Sequence, residues 1–104
     1  MIIRLENPIS GGELNSLFNA NLNEERLIKE IVTDSREATP NSLFIALDGV
    51  NANGDDYLSL AKSCGALTMS QRRNDADVKV ENVESAILRI ANASVKWLFN
   101  LEVK

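Results

Sequence analysis

Five apolar residues in a row, Leu43-Phe-Ile-Ala-Leu47, sit between two polar stretches. A strand with one wet face alternates apolar and polar side chains. An unbroken run this short suits a strand buried on both faces, as in a parallel sheet covered by helices. Pro40-Asn41-Ser42 before it is a turn signal, and Asp48 to Gly54 after it is a loop rich in Gly and Asn. Tyr57, Leu60, Ala61 and Cys64 then recur at i, i+3, i+4 and i+7, which predicts a helix with one apolar stripe, capped by Asp55 or Asp56. Gly65 stands where a helix C-terminus calls for positive φ, and residues 66–70 read as the next strand. Strand, helix and strand at these lengths make a βαβ unit, expected to be right-handed.

The flanks extend the same pattern. Residues 2–5 suit a short edge strand. Ser10 and Glu13 have the spacing of a capping box for a helix over 11–19, with Leu14, Leu17 and Phe18 at helical spacing. Residues 27–33 are β-branched enough for a strand, and 78–80 for a shorter one. Asn82 can cap a last helix in which Val83, Ala86, Ile87, Ile90, Ala91, Ser94 and Leu98 share a face. The expected fold is α/β: a small, mostly parallel or mixed sheet with helices packed on it, in a single domain over residues 1–104.

Charge and composition exclude whole classes of chemistry. The net charge is −4, and Arg72-Arg73 is the only adjacent basic pair, so a nucleic-acid surface is not expected. No apolar run is long enough to span a membrane, and the N-terminus lacks a secretory signal. One cysteine forms no internal disulfide, which fits a reducing cytoplasm. With no histidine there is no His-ligated metal, Ser-His triad or Cys-His dyad in this chain. Cys64 reads as core, Trp97 as packing at a domain edge, and Glu13, Glu24, Glu25 and Glu30 as solvated charge.

Two loops could grip a polar ligand. Thr33-Asp34-Ser35-Arg36 leaves a strand with a hydroxyl that donates and accepts and a guanidinium that matches phosphate or carboxylate. The plain alternative is a turn, with Asp34 on backbone amides and Arg36 paired to a surface acid. Gly49-Val50-Asn51-Ala52-Asn53-Gly54 follows a buried strand and precedes a helix, the edge where open α/β sheets bind ligands. Its glycines would let a flat ring approach the backbone. The plain alternative is an ordinary flexible loop; it is neither a P-loop nor a GxGxxG fingerprint. Both loops serve one site only if their strands end at the same sheet edge. Yet only nine residues, 33–41, connect those strands, and adjacent parallel strands usually need a dozen or more.

Taken together, Asp34-Ser35-Arg36, Pro40, Leu43-Phe44-Ile45-Ala46-Leu47, Gly49, Gly54, Tyr57, Ala61 and Gly65-Ala66 resemble, in order and spacing, the N-terminal domain of the Mur ligases. These are the ATP-dependent amide-bond enzymes of peptidoglycan precursor synthesis. Among members the resemblance is greatest to the type adding D-alanyl-D-alanine, then to the type adding the third peptide residue.

The resemblance implies a domain that holds the UDP end of a UDP-MurNAc-peptide. Ser35 would bond the uracil or nearby UDP atoms, with Thr33 supplying backbone beside it. Val50, Asn51 and Ala52 would lie along the nucleotide. Asp34 belongs to the same motif, and Arg36, Asn53 and Gly54 would shape or support the site.

The chain departs from the family at Asn41-Ser42, at Asn53 and at Asp55, where many members have His. Asp55 adds negative charge that a nearby pyrophosphate would not favour. No G-x-x-G-K-[ST] loop occurs, and the sequence stops about where the family's would begin. The expectation is therefore a substrate-binding piece with no catalytic residue, metal ligand or cofactor of its own. ATP and Mg2+ would serve the full-length ligase, whose central and C-terminal domains follow in cis. A stand-alone interaction module with this fold is the alternative from another class.

Overall fold

The computed structural model describes residues 1–47 and 53–95. Five strands form one sheet in the order of the chain: β1 (Ile2–Ser10), β2 (Leu27–Val32), β3 (Ser42–Ile45), β4 (Leu67–Ser70) and β5 (Val78–Lys79). β1 runs antiparallel to β2, and the other three pairings are parallel. Helices α1 (Gly11–Phe18), α2 (Leu58–Ser63) and α3 (Val83–Ser94) complete the fold, with single 3-10 turns at Ser35–Glu37 and Gly54–Tyr57.

The apolar run does what its pattern requires over its first three residues: every residue of β3 is buried, whereas Ala46 and Leu47 lie beyond the strand and Leu47 is only half-buried. Its side chains alternate between two cores. Leu43 and Ile45 join Ile31, Met69 and Ile90 in one, while Phe44 joins Val32, Leu58 and Ala61 in the other. The first core holds residues of α1 and α3, the second those of α2, so helices cover both faces.

Local signals at two helix starts hold. Ser10 and Glu13 form the reciprocal capping box of α1, and Asn82 caps α3 through the Ser85 amide at 2.8 Å. α1 ends at Asn19, whose φ of 54° is the left-handed conformation that Asn tolerates among non-glycine residues. Gly65 closes α2 at φ 89°, as its position predicts.

Three expectations need correction. β1 runs to Ser10 instead of stopping at Leu5. Five steps along it, Arg4 to Ile9, face two along β2, Glu30 to Ile28, so Pro8 falls in a bulge on an edge strand, where a missing N–H costs no ladder bond. The bulge also docks α3: the Asn7 amide donates to Ser94 Oγ at 2.8 Å, and Ser94 Oγ donates to the Asn7 carbonyl at 2.9 Å.

The other two corrections concern α2. Asn53, not Asp55 or Asp56, is the capping side chain; it caps the 3-10 turn, and α2 itself starts at Leu58 without a side-chain cap. That turn shifts the stripe. Leu58 and Ala61 face the core, while Tyr57, Leu60 and Cys64 are exposed. Cys64 is thus a surface thiol and not a core residue.

The nine-residue link between β2 and β3 is direct. Val32 pairs with Phe44 in parallel register, and the connection makes one 3-10 turn before returning. Because β3 is only four residues long, little backtracking is needed. Both strands therefore end at the same sheet edge.

Candidate functional site

That shared edge carries an open cleft of about 720 Å³. Thr33, Asp34, Ser35 and Arg36 enter it from the end of β2, and Phe44 and Leu47 from β3 and the residues after it. Gly54, Tyr57 and Leu60 line it from the 3-10 turn and α2, with Met1 at the rim. The structure thus brings the whole Thr33–Arg36 segment together with Gly54. Val50, Asn51 and Ala52 lie outside the described residues, as do Trp97 and Leu98.

Each residue has a distinct role in building the cleft. The Thr33 amide donates to the Met1 carbonyl at 3.1 Å, fixing the chain as it leaves the sheet. Asp34 caps the 3-10 turn by accepting from the Arg36 amide at 2.9 Å. Its carboxylate also takes the Arg36 guanidinium, with Nη2 to Oδ2 at 2.6 Å and Nε to Oδ1 at 3.0 Å. These bonds to Arg36, side chain first and then backbone, hold the Asp34 carboxyl down at about 2, and the same pairing raises Arg36 further. Arg36 is thus the partner of a neighbouring acid, the plain reading of this turn, while still standing on the cleft wall.

Ser35 differs from its neighbours. It is only 7% exposed, and its hydroxyl has no hydrogen-bond partner among the described residues. Its carbonyl is used by the Ala38 amide at 3.2 Å. The residue is buried but its hydroxyl oxygen keeps contact with solvent, so it is a donor and acceptor on the cleft wall that a ligand could engage.

Asn53 and Gly54 are committed to the scaffold. Asn53 Oδ1 accepts from the Asp55 amide at 3.0 Å, and the Gly54 amide donates to the Leu47 carbonyl at 2.8 Å. A Cβ on Gly54 would lie 2.6 Å from the Leu47 backbone nitrogen and oxygen. The close approach this glycine permits is therefore to β3's own chain.

Asp55 does not line the cleft. Its carboxylate turns inward, where Ser70 Oγ donates to Oδ1 at 2.5 Å and Arg72 Nη1 lies 3.9 Å from Oδ2. Ser70 Oγ in turn accepts from the Arg72 and Arg73 amides at 3.1 Å each. The Asp55 charge is thus engaged by Ser70 and Arg72 and does not face the cleft. Its signal in the sequence, Ser70 at a strand end, became meaningful only once the strands were aligned.

Phe44, Leu47, Tyr57 and Leu60 also line the cleft, which their apolar spacing does not signal, since that pattern reads as core. A second depression, of about 700 Å³, lies between α1 and α3 and contains none of the predicted residues. Among the described residues no cluster of three or more acidic, Cys or His side chains could hold a metal, and no helix is long and apolar enough to cross a membrane.

Known proteins resemble this chain in sequence and in fold. The chain is 35% identical over 72 residues to the UDP-N-acetylmuramoyl-tripeptide–D-alanyl-D-alanine ligase of Haemophilus influenzae, covering 68% of this chain and 16% of that protein. It is 32% identical over 78 residues to the UDP-N-acetylmuramoyl-L-alanyl-D-glutamate–2,6-diaminopimelate ligase of Alkaliphilus oremlandii, covering 70% of this chain and 16% of the relative. The solved structure of MurF from Acinetobacter baumannii superposes with a TM-score of 0.65 over 82% of this chain and 20% of that one, at 22% identity.

The chain resembles the Mur ligase N-terminal domain in sequence and in fold. No family model matches it. It spans 10–16% of the length of these curated Mur ligases. The Mur-like part is the α/β unit described above, a mixed sheet with helices on both faces.

Proposed function

We propose that this chain is the part of a Mur-type ligase that holds the UDP end of a UDP-MurNAc-peptide. The observation that carries the reading is the cleft at the ends of β2 and β3, where Thr33, Asp34, Ser35, Arg36 and Gly54 meet. Ser35 offers a neutral hydroxyl without a partner among the described residues. Asp34 and Arg36 stiffen the wall, Asn53 caps the turn of the other lip, Gly54 ties that lip to Leu47 just after β3, and Val50, Asn51 and Ala52 would supply the remaining contacts.

In the full-length enzyme the domain would be joined in cis to central and C-terminal domains, in the cytoplasm. Those domains would bind ATP and Mg2+ and form an amide bond of a peptidoglycan precursor. The residues here do not fit ATP, since the sequence has no glycine-rich phosphate loop with its Lys. Domain 1–104 would recognise substrate and perform no chemistry.

Similarity to a D-alanyl-D-alanine-adding ligase and to MurF supports that type. The matches to diaminopimelate-adding ligases support the third-residue type as a second reading. Calorimetry with UDP tests the common part. Ser35→Ala removes one polar contact, about 1 kcal/mol, so affinity should fall about fivefold. Unchanged affinity would take Ser35 out of the site. No binding of UDP to the unaltered chain would favour an interaction module.

A further inference from the structure

We infer that Asp55 and Ser70 form a latch behind the cleft. Neither residue lines it, yet the pair sets where the lip carrying Gly54 and Tyr57 stands, and so how well the cleft binds. The inference rests on the UDP reading above and adds two positioning residues to it.

Residues three apart line up in a 3-10 turn. In the turn Gly54–Tyr57 the two ends therefore face the cleft together, and Asp55 is rotated about a third of a turn away. Asp55 is only 9% exposed, and Ser70 Oγ donates to its Oδ1 at 2.5 Å. Among the described residues this is the turn's one side-chain hydrogen bond to the sheet. Asn53 caps the turn from within, and α2 begins at Leu58 without a side-chain cap.

The backbone aims this bond. A serine hydroxyl donates once and accepts twice. Both acceptor positions of Ser70 are filled by the Arg72 and Arg73 amides, so its one hydrogen is left for Asp55. Ser70 itself is fully buried at the end of β4. A buried carboxylate is costly when unmatched, and Arg72 Nη1 stands 3.9 Å from the other oxygen. Apolar packing at this position would hold the turn without direction; a hydrogen bond fixes angle as well as distance. The end of β4 thus orients an acid, and the acid orients the lip.

The test follows two quantities in the 104-residue chain: exchange of the Gly54 amide by NMR, and UDP affinity by calorimetry. Both are read at a temperature where circular dichroism shows every variant folded. The Gly54 amide gauges the lip directly, because it donates to the Leu47 carbonyl. Ser70→Ala and Asp55→Ala should each speed its exchange roughly tenfold relative to the β3 amides. Each should also weaken UDP about tenfold, since the binding-competent lip is less populated. The double variant should lose no more than either single one. Asp55→Asn keeps an acceptor oxygen for Ser70 and should retain both properties. Thr68→Val removes another fully buried hydroxyl of β4, one bonded to Asp77 and not to the turn, and should change neither. The latch is overturned if Gly54 exchange does not rise in either alanine variant, if UDP affinity holds while exchange rises, or if Asp55→Asn or Thr68→Val loses as much as Asp55→Ala; UDP binding by the unaltered chain stands or falls separately. If exchange behaves as expected but the unaltered chain binds no UDP, the UDP reading fails and the latch remains as the holder of the lip.

Discussion

Gly54→Ala is the sharpest test of how the cleft is held open. The new methyl group would lie 2.6 Å from the Leu47 nitrogen and oxygen and 2.9 Å from the Ala46 Cα. All three are backbone atoms, so no side chain can swing aside. The 3-10 turn must lift off β3, which strains or breaks the 2.8 Å bond from the Gly54 amide to Leu47. Overpacking costs about 1–3 kcal/mol, and the lost bond adds about 1 kcal/mol. Reduced freedom of the unfolded chain returns about 0.4–1 kcal/mol.

The net loss is about 2 kcal/mol, or roughly 8–16 °C in Tm for a domain of this size. Gly12→Ala is the control: its Cβ would meet nothing nearer than 3.5 Å, and inside α1 alanine should gain about 0.5–1 kcal/mol. Thermal unfolding followed by circular dichroism reads both variants. If Gly54→Ala melts within about 2 °C of the unaltered chain, or Gly12→Ala falls as far, the account of Gly54 as a space requirement is refuted.

Two further outcomes follow from side-chain partners. Ser70→Ala should cost about 2 kcal/mol in urea unfolding, because the fully buried hydroxyl serves Asp55 and two amides at once; an unchanged midpoint would mean that the Asp55 contact is idle. Asp34→Asn keeps the cap and removes the ion pair. Since the folded Asp34 carboxyl sits at about 2 against an ordinary 3.8, its contribution is complete above 3.8 and fades as pH falls toward 2. The Tm difference between the two proteins should therefore be constant near neutrality and close over that acid window; a difference that widens there would contradict the pairing.

Much of the fold could be read locally. The Leu43–Leu47 run, the Ser10/Glu13 box, the Asn82 cap and Gly65 each act within a few residues of themselves, and each holds. The errors arose where one element altered the phase or reach of another. The 3-10 turn before α2 moved the buried positions from Tyr57 and Cys64 to Leu58 and Ala61. The bulge that holds Pro8 let β1 continue to Ser10, past the expected end at Leu5. For the site, each of Thr33–Arg36 and Gly54 was visible as polar strand-end chemistry. Their meeting depended on the parallel register of β2 and β3, a long-range fact with no local trace.

Most parallel strand pairs are bridged by a helix that roofs the sheet between them. Here one turn does the bridging, and the roof is missing beside Leu47, which is only half-buried, and over the edge of buried Phe44. The vacancy is therefore a product of chain length: the pocket exists because the polypeptide between Val32 and Ser42 is too short to fill it. Exposed loops ordinarily absorb insertions without harm. In this loop, added residues would build the absent roof, trading the ligand's place for a more conventional domain.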